Sequence, residues 1–293
     1  MKISIVIRTY NEERHLPALL EGIQSQVLPD VTIETIVVDS GSTDGTVAIA
    51  EGFGCRMEHI PKAVFSFGRS LNIGCDAATG SVLVMISGHC IPVGVSWLAK
   101  LVQPLAEGRV AIAYGCQRGD GSSRFSERRI FEKYYPGSSL IPQEGFFCNN
   151  ANSAILASVW ARYRFDESLT GLEDMHLAKR VTADGLSVGY VADALVRHLH
   201  DETWARIKRR FEREAIALRH IMPEVHLSFT DFMRYAFSSV LLDLGGAAQS
   251  GRFLRYAPEI IMYRFSQYWG SYRGGRRNRK LSREVKERYY YPR

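Results

Sequence analysis

The stretch Met85-Ile-Ser-Gly-His-Cys-Ile-Pro92 ends an apolar run of sequence with a group of polar residues. Two earlier segments have the same form. Ile3 to Arg8 leads into Thr9-Tyr-Asn-Glu-Glu13, and Glu34 to Val38 leads into Asp39-Ser-Gly-Ser-Thr-Asp-Gly-Thr46. Short apolar runs that are bounded by turn residues are typical of buried strands. Because ligands bind beyond the carboxyl ends of parallel strands, these three polar ends predict one binding crevice.

Segments with helical periodicity alternate with these runs, which predicts an α/β fold with a mostly parallel central sheet and right-handed crossovers. Ser42 is a candidate N-cap for the second helix. The polar residues 116–145 are predicted to form a mobile segment. A strand over 147–155, a strand over 187–191 and an aromatic-rich helical region over 228–270 are expected beyond it. Further helices are predicted over Glu12–Gln26, Phe67–Ala78, Ser96–Leu105, Glu173–Ala183 and Thr203–His220.

The composition is that of an ordinary soluble globular protein, with 46% hydrophobic and 23% charged residues among 293. Five scattered cysteines without C-x-x-C spacing predict reduced thiols in the cytosol, not a disulfide framework or a zinc cluster. The chain starts directly with a strand, so we expect no signal peptide. No apolar run reaches the roughly 18 residues of a spanning helix. These features predict a cytoplasmic protein.

Positive charge is concentrated at the C-terminal end. From Arg252 onward there are twelve basic and three acidic residues, a net charge of +9, while residues 1–251 carry −3 of the overall +6. Aromatic residues such as Trp269 and Tyr289 lie among them. This mixture favours an anionic membrane surface, at about 1 kcal/mol for each nearby Lys or Arg, as on the inner face of the cytoplasmic membrane. A solvated helical face with a disordered end, or a contact between subunits, are alternatives. Nucleic acid is disfavoured, because no other part resembles a nucleic-acid module.

The order of these motifs over residues 1–220 resembles glycosyltransferase family 2, the inverting nucleotide-sugar transferases of the GT-A fold. That resemblance implies a Rossmann-like catalytic domain over 1–220, with a donor half at 1–115 and an acceptor half at 116–220. A helical extension, associating with a membrane or another subunit, would follow over 221–293. The Ser-x-His-Cys-x-Pro variant and the basic tail look most similar to bacterial rhamnosyltransferase-like members that build surface polysaccharide.

The resemblance also implies the donor-binding residues. The carboxylate at position 39 would contact the base, residues 9–12 would line the nucleotide, and the arginine at position 69 could pair with phosphate oxygens. The predicted donor contacts are Thr9, Tyr10, Asn11, Glu12, Asp39, Arg69, Asn72, Ser87 and Gly88.

Glu173 and Asp174 are the candidate catalytic residues. Adjacent carboxylates at a helix start are often only a favourable arrangement with the helix dipole. By the resemblance, however, Asp174 is the general base that takes the proton of the acceptor hydroxyl, and Glu173 orients a sugar hydroxyl. Partial desolvation would raise the pKa of such a base. Asn149 and Asn152 are the predicted acceptor contacts.

The metal site departs from the family pattern. Family members hold Mn²⁺ or Mg²⁺ with the last Asp of an Asp-x-Asp motif and a His after the final strand. Here His89 stands in place of that Asp, and His198 or His200 fits the final His. Two imidazoles with diphosphate oxygens suit Mn²⁺, while Mg²⁺ prefers oxygen ligands. Alternatively the enzyme is metal-independent, and a basic helix offsets the diphosphate charge with Arg206, Lys208, Arg209, Arg210 and Arg213.

The sequence therefore predicts an inverting transferase that moves a sugar from a nucleoside diphosphate to a hydroxyl of a saccharide or lipid-linked acceptor. One alternative is a catalytically inactive scaffold that binds a nucleotide sugar. A nucleotidyltransferase of related fold is the other, although it would need a Gly-rich basic loop where Thr9-Tyr-Asn-Glu stands. The sequence is also compatible with a homo-oligomer.

Overall fold

The computed structural model describes residues 1–225 and 227–276, which form two compact units. The first unit comprises Met1–Arg118, Tyr135–Leu169 and Glu173–Leu199. The second comprises Gly119–Tyr134, Thr170–Leu172 and the chain from His200 onward. The helix after His200 therefore groups with the C-terminal helices, whereas the sequence prediction counted it in the domain 1–220. The division of that domain into donor and acceptor halves stays a prediction.

The first unit contains one eight-stranded sheet with the order β3-β2-β1-β4-β7-β6-β8-β5. The pairs β1–β2, β1–β4, β2–β3 and β6–β8 are parallel, and β4–β7, β6–β7 and β5–β8 are antiparallel. The predicted mostly parallel α/β sheet is confirmed. The strands are β1 (Lys2–Thr9), β2 (Thr32–Asp39), β3 (Arg56–His59), β4 (Val82–Ser87), β5 (Cys90–Pro92), β6 (Ile112–Arg118), β7 (Asn152–Leu156) and β8 (Val188–His198).

Among the described residues, six helices belong to the first unit and four to the second. The first set is α1 (Leu16–Gln24), α2 (Thr46–Gly52), α3 (Phe67–Ala77), α4 (Trp97–Ala106), α6 (Ala157–Tyr163) and α7 (Glu173–Ala183). The second set is α5 (Phe125–Tyr134), α8 (Trp204–Ile221), α9 (Phe229–Gln249) and α10 (Phe253–Gly275).

Strand β1 shows why the sheet forms where it does. Ile3, Ile5 and Ile7 are fully buried, and so is Val6 between them. Strands that are covered on both faces carry such continuous apolar runs, because helices pack on each side of a parallel sheet. Helix α1 supplies part of that cover with an apolar face that repeats at helical spacing, formed by Leu16, Leu19, Leu20 and Ile23.

Three local predictions are wrong. Helix α1 begins at Leu16 and not at Glu12, because Glu12 lies in a turn where its backbone N–H donates to Thr46 Oγ1 at 2.7 Å. Ser42 caps no helix; its hydroxyl donates to Asp39 at 2.5 Å. The segment 116–145 is not a loop, because it holds the end of β6 and all of α5.

The second unit is held by close helix packing and a buried ion pair. A Cβ atom on Gly270 would lie 2.4 Å from the Lys208 carbonyl oxygen, so only glycine allows α10 to approach α8 so closely. The guanidinium of Arg264 donates to the carboxylate of Asp243 at 2.7 Å, and both side chains are buried. None of the helices that the structure describes combines the length and the apolar character needed to cross a membrane. The basic stretch from Arg277 to Arg293 lies outside the described residues.

Candidate active site

The turn after β2 is fixed by the carboxylate of Asp39. One oxygen, Oδ2, accepts the backbone N–H groups of Gly41 and Ser42 at 2.8 and 2.9 Å. The other, Oδ1, accepts the hydroxyl groups of Ser42 and Thr9 at 2.5 and 3.2 Å. Asp39 is buried, and these bonds fix the conformation of the turn that follows β2. Its predicted contact with a nucleobase stays a prediction.

The loop after β1 is tied to this turn. Asn11 has a positive φ of 56°, and its Oδ1 atom accepts the backbone N–H of Thr43 at 2.8 Å. The Lys62 ammonium lies 4.5 Å from the centre of the Tyr10 ring, which is a cation–π contact. The predicted nucleotide-lining residues Thr9 to Glu12 are therefore brought together at one edge of the sheet.

Two histidines face each other at the ends of β4 and β8. The rings of His89 and His198 stack with centroids 5.1 Å apart, and a ligand nitrogen of each lies within 4.8 Å of one on the other. His89 Nδ1 contacts Glu12 Oε1 at 2.7 Å, and His198 Nδ1 contacts Gln117 Oε1 at 2.6 Å. A ring that donates its Nδ1–H to an oxygen presents Nε2 as its coordinating atom, which is the usual arrangement of a metal-binding histidine.

The sheet explains why these rings meet. Strand β5 pairs antiparallel with β8, with Cys90 opposite His198, and the Leu199 N–H donates to the His89 carbonyl at 3.2 Å. Strand β8 is longer than the predicted 187–191, so His198 is its last residue. His200 instead contacts Glu127 Oε1 at 2.8 Å within the second unit. Whether His198 or His200 is the second ligand stays a prediction.

Gly88 is required next to this pair. A Cβ atom at position 88 would lie 2.9 Å from Glu12 Cγ and 3.2 Å from the Arg8 carbonyl oxygen. A larger residue would displace Glu12, the carboxylate that orients His89. The neighbouring Ser87 is anchored by its backbone N–H, which donates to the Ala151 carbonyl at 3.3 Å. Its side chain is half-buried at the end of β4.

The two candidate catalytic carboxylates begin α7, whose bounds match the prediction. Glu173 and Asp174 are both buried. Asp174 Oδ2 accepts the backbone N–H of Asn150 at 2.9 Å, and Oδ1 accepts that of Met175 at 2.8 Å. Burial and, after it, the neighbouring Glu173 charge raise the pKa of Asp174 to about 7, against the lowering effect of the two N–H donors and of Arg8. A carboxyl with such a pKa exchanges its proton near neutral pH.

Arg8 is a site residue that the sequence reasoning missed. It lies in β1, and its Nη1 atom is 3.6 Å from Glu173 Oε1. That atom is buried and makes no hydrogen bond within the described part of the chain. The guanidinium sits 4.7 Å from the centre of the Phe67 ring. An arginine inside an otherwise apolar strand was the available signal, because a buried charge needs a partner.

The residues predicted beside the diphosphate have local partners. Arg69 Nε donates to Glu167 at 2.7 Å, so its charge is balanced in the structure. Asn72 is buried, and its amide donates to Phe165 and Glu167 and accepts from Phe165 and Trp160. Those four bonds use the whole hydrogen-bonding capacity of an amide. We therefore interpret Asn72 as a residue that positions the 165–167 loop, not as a donor contact.

The predicted acceptor contacts differ from each other. Asn152 is fully buried, and its amide bonds to Trp97, Cys116 and Ala194. It has no surface for an acceptor, so the structure corrects that prediction to a packing role beside β6. Asn149 is half-buried, and its Oδ1 accepts the Ala151 N–H at 2.9 Å. Its predicted acceptor contact stays a prediction.

Comparison with known proteins identifies the family of the chain. The model of the family described as Glycosyl transferase family 2 matches residues 4–165, so the chain belongs to glycosyl transferase family 2. It is 28% identical to the O-antigen chain rhamnosyltransferase RfbN of Salmonella typhimurium over 218 residues, 69% of this chain and 68% of that protein. It is 24% identical to the glycosyltransferase AglE of Haloferax volcanii, over 71% of this chain and 70% of that protein.

Among solved structures, the mannosyltransferase PcManGT from Pyrobaculum calidifontis superposes with a TM-score of 0.64. The match covers 91% of this chain and 84% of that one at 18% sequence identity. That protein was solved in complex with GDP-Man and Mn²⁺. The likeness shows that the predicted GT-A architecture is correct.

Proposed function

We propose that this glycosyltransferase is inverting, and that it moves a sugar from a nucleoside diphosphate sugar to a hydroxyl of a saccharide or lipid-linked acceptor. The observation that carries the proposal is the buried Asp174, whose pKa is raised to about 7 at the start of α7. A carboxyl with this pKa is ionised in part at neutral pH and remains a stronger base than an ordinary aspartate.

In the proposed step, Asp174 takes the proton of the acceptor hydroxyl. The hydroxyl oxygen then forms a bond to the anomeric carbon while the bond from that carbon to the diphosphate oxygen breaks. The nucleoside diphosphate leaves with the electron pair, and the anomeric configuration inverts because attack and departure occur on opposite faces. Arg8 holds Glu173 beside Asp174. The distance between Arg8 Nη1 and Glu173 Oε1 is 3.6 Å.

His89 and His198, whose ring nitrogens lie within 4.8 Å of each other, are the residues that would hold a divalent cation. Imidazole ligands suit Mn²⁺ better than Mg²⁺. When bound, such an ion supplies positive charge that stabilises the departing diphosphate. The presence of Mn²⁺ with a nucleotide sugar in PcManGT supports this assignment. The metal-independent alternative relied on a basic helix, but Arg210 of that helix is already paired with Glu127 and Glu202.

The name of the relative RfbN supports a deoxyhexose or hexose donor and a role in bacterial surface polysaccharide synthesis. We do not assign the nucleobase of the donor, which is uracil in UDP, thymine in dTDP and guanine in GDP. The conformation of the Asp39 turn is compatible with recognition of any of them, because its backbone and hydroxyl groups are neutral hydrogen-bonding partners.

The test is calorimetric titration of UDP, dTDP and GDP into the chain, first with EDTA and then with Mn²⁺. We expect one diphosphate to bind with Mn²⁺, and His89→Ala to lose this dependence. His59→Ala, an exposed histidine on β3, is the matched control and should bind as the unmodified chain does. Binding that ignores both Mn²⁺ and His89→Ala would point to a metal-independent enzyme.

A second measurement separates an enzyme from a scaffold. The chain is incubated with radiolabelled nucleotide sugars, and the slow release of free sugar is followed without an acceptor. An enzyme releases sugar, and Asp174→Asn should reduce that release while leaving diphosphate binding unchanged. Binding without any turnover by the unmodified chain would favour the inactive scaffold.

A further inference from the structure

Helix α9 of the second unit exposes a row of apolar side chains. Phe229, Met233, Phe237 and Leu241 repeat every fourth residue, so they lie along one face of the helix. Each of the four is more than half exposed. Large apolar side chains that are exposed singly are normal, but a continuous row marks an interaction surface.

Helix α10 has a comparable face. Leu254, Ile261 and Phe265 follow one another at spacings of seven and four residues, which places them on one side of the helix. Leu254 is 88% exposed. The opposite side of α10 packs closely on α8 through Gly270 and Gly274. Helix α10 therefore packs on α8 through its glycine side and exposes apolar side chains on the opposite side.

The two helices are antiparallel neighbours. Phe232 of α9 contacts both Phe265 and Trp269 of α10, with ring centroids 5.9 and 5.5 Å apart. Further along the pair, the hydroxyl groups of Ser239 and Tyr268 are 2.8 Å apart. We call the exposed side chains of residues 229–275, which comprise α9, the turn after it and α10, the hairpin surface.

The charge exposed on the hairpin surface is positive. Arg252 and Arg255 are exposed where the two helices join. They line an open depression of about 540 Å³ together with Ala248, Gly251, Phe253 and Leu254. Cationic groups next to apolar ones match the boundary between phospholipid headgroups and acyl chains.

The carboxylates of the same helices are engaged internally. Asp231 closes the capping box at the start of α9 with Ser228. Asp243 is buried against Arg264, and Glu259 accepts the backbone N–H of Phe125 at 2.6 Å. They therefore do not neutralise the arginines at the join, and the sequence from 252 onward carries a net charge of +9.

This charge selects among the partners that an apolar face could have. A second copy of the chain, packed through the same face, would bring the exposed arginines of the two copies together, which is unfavourable. An anionic bilayer offers negative headgroups for the arginines and an apolar layer for the phenylalanines and leucines. We propose that the hairpin surface docks on an anionic phospholipid membrane, with α9 and α10 lying in the plane of the headgroups.

This inference concerns the second unit and does not rest on the proposed transfer reaction. The test needs neither donor nor acceptor: the full chain is sedimented with vesicles of phosphatidylcholine alone or of phosphatidylcholine with phosphatidylglycerol. We expect binding to the anionic vesicles only, and weaker binding as salt is added. Failure of sugar transfer would leave this result untouched, so the two proposals can fail separately.

Two pairs of variants examine the two parts of the surface. Replacing both Arg252 and Arg255 by Glu should weaken binding by at least roughly 30-fold, from the contribution of each basic residue near a charged bilayer. Phe237→Ser should weaken it by roughly 10-fold through the loss of buried apolar area. The matched controls are Lys100→Glu and Val27→Ser, exposed residues of the first unit, which should bind as the unmodified chain does.

Several results would overturn the proposal. They are equal binding to neutral and anionic vesicles, no binding to either, and variants that bind like their controls. A further contradicting result would come from light scattering. It would be obtained if the unmodified chain were a dimer that does not bind vesicles and Phe237→Ser made it monomeric. Thermal unfolding checks that each variant folds, and the salt dependence of the unmodified chain tests the charge argument without any substitution.

Discussion

Replacing Asp174 by Asn removes a buried carboxyl while keeping its size. In the folded chain its pKa is about 7, against an ordinary value of 3.8, chiefly because burial disfavours the charged form. The protonated form therefore favours folding: its stabilising effect is fully present below pH 3.8 and is lost as the pH rises to about 7. Each unit between the two pKa values corresponds to about 1.4 kcal/mol. Ionisation of Asp174 thus lowers the free energy of unfolding by about 4 kcal/mol above that range.

In the Asp174→Asn variant, position 174 does not contribute to the pH dependence of the free energy of unfolding. Its amide oxygen can accept only one of the two N–H bonds that Asp174 receives from Asn150 and Met175, and the lost bond costs about 1 kcal/mol. We expect the variant to be less stable than the unmodified chain in acid and more stable above neutral pH. Roughly 2–3 kcal/mol of the change in this stability difference should fall between about pH 5 and about pH 8.

The assay is urea unfolding of both proteins over that pH range, followed by tryptophan fluorescence. Asp193→Asn, which replaces an exposed carboxylate on β8, serves as the control for the chemical change itself. A difference for Asp174→Asn that does not change with pH would refute the argument, because Asp174 would then titrate as an ordinary carboxyl. Full transfer activity in this variant would refute its role as the base.

Two further predictions follow from the same structure. Glu173→Gln should move the acid limb of kcat/KM to lower pH, because after burial the Glu173 charge is the main cause that raises the pKa of Asp174; an unmoved limb in the pH–rate profile would contradict the coupling. Gly74→Ala should lower stability by about 1–3 kcal/mol, since its Cβ would lie 2.3 Å from Val6 Cγ1. Gly52→Ala on α2, with open space around it, should instead raise stability by about 0.4–1 kcal/mol. Equal melting temperatures for these two variants would show that the core around Gly74 relaxes.

Elements with strong local signals could be predicted from the sequence. Helix α7 begins and ends at the predicted residues, Glu173 and Ala183, because two acidic residues start it and an apolar face runs through it. Strand β1 lies within one residue of its predicted bounds at either end. Strand β5 was missed, because three residues are too few for any periodicity, and it exists only through its pairing with β8. Helix α5 was missed as well, since its polar surface resembled a loop.

The candidate site, like the fold, could be predicted only in part from the sequence. Asp174 and His89 could be proposed from motif order alone. Their surroundings could not: nothing local in the sequence connects His89 to Glu12, or Arg8 to Glu173, because those contacts join segments that are far apart in the chain. Asn152 shows the opposite error, in which a residue type suited to binding sugar is consumed by packing.

By itself the sequence determined the class of fold, the family and the identity of the titrating groups, because apolar periodicity and motif order are local properties of the chain. Only the tertiary structure decided which imidazole faces His89, through the register of β5 against β8. It also decided that the pKa of Asp174 lies near neutrality, because burial and the neighbouring charge of Glu173 arise only when the chain has folded. A pKa and a ligand geometry depend on distances between groups, and folding sets those distances.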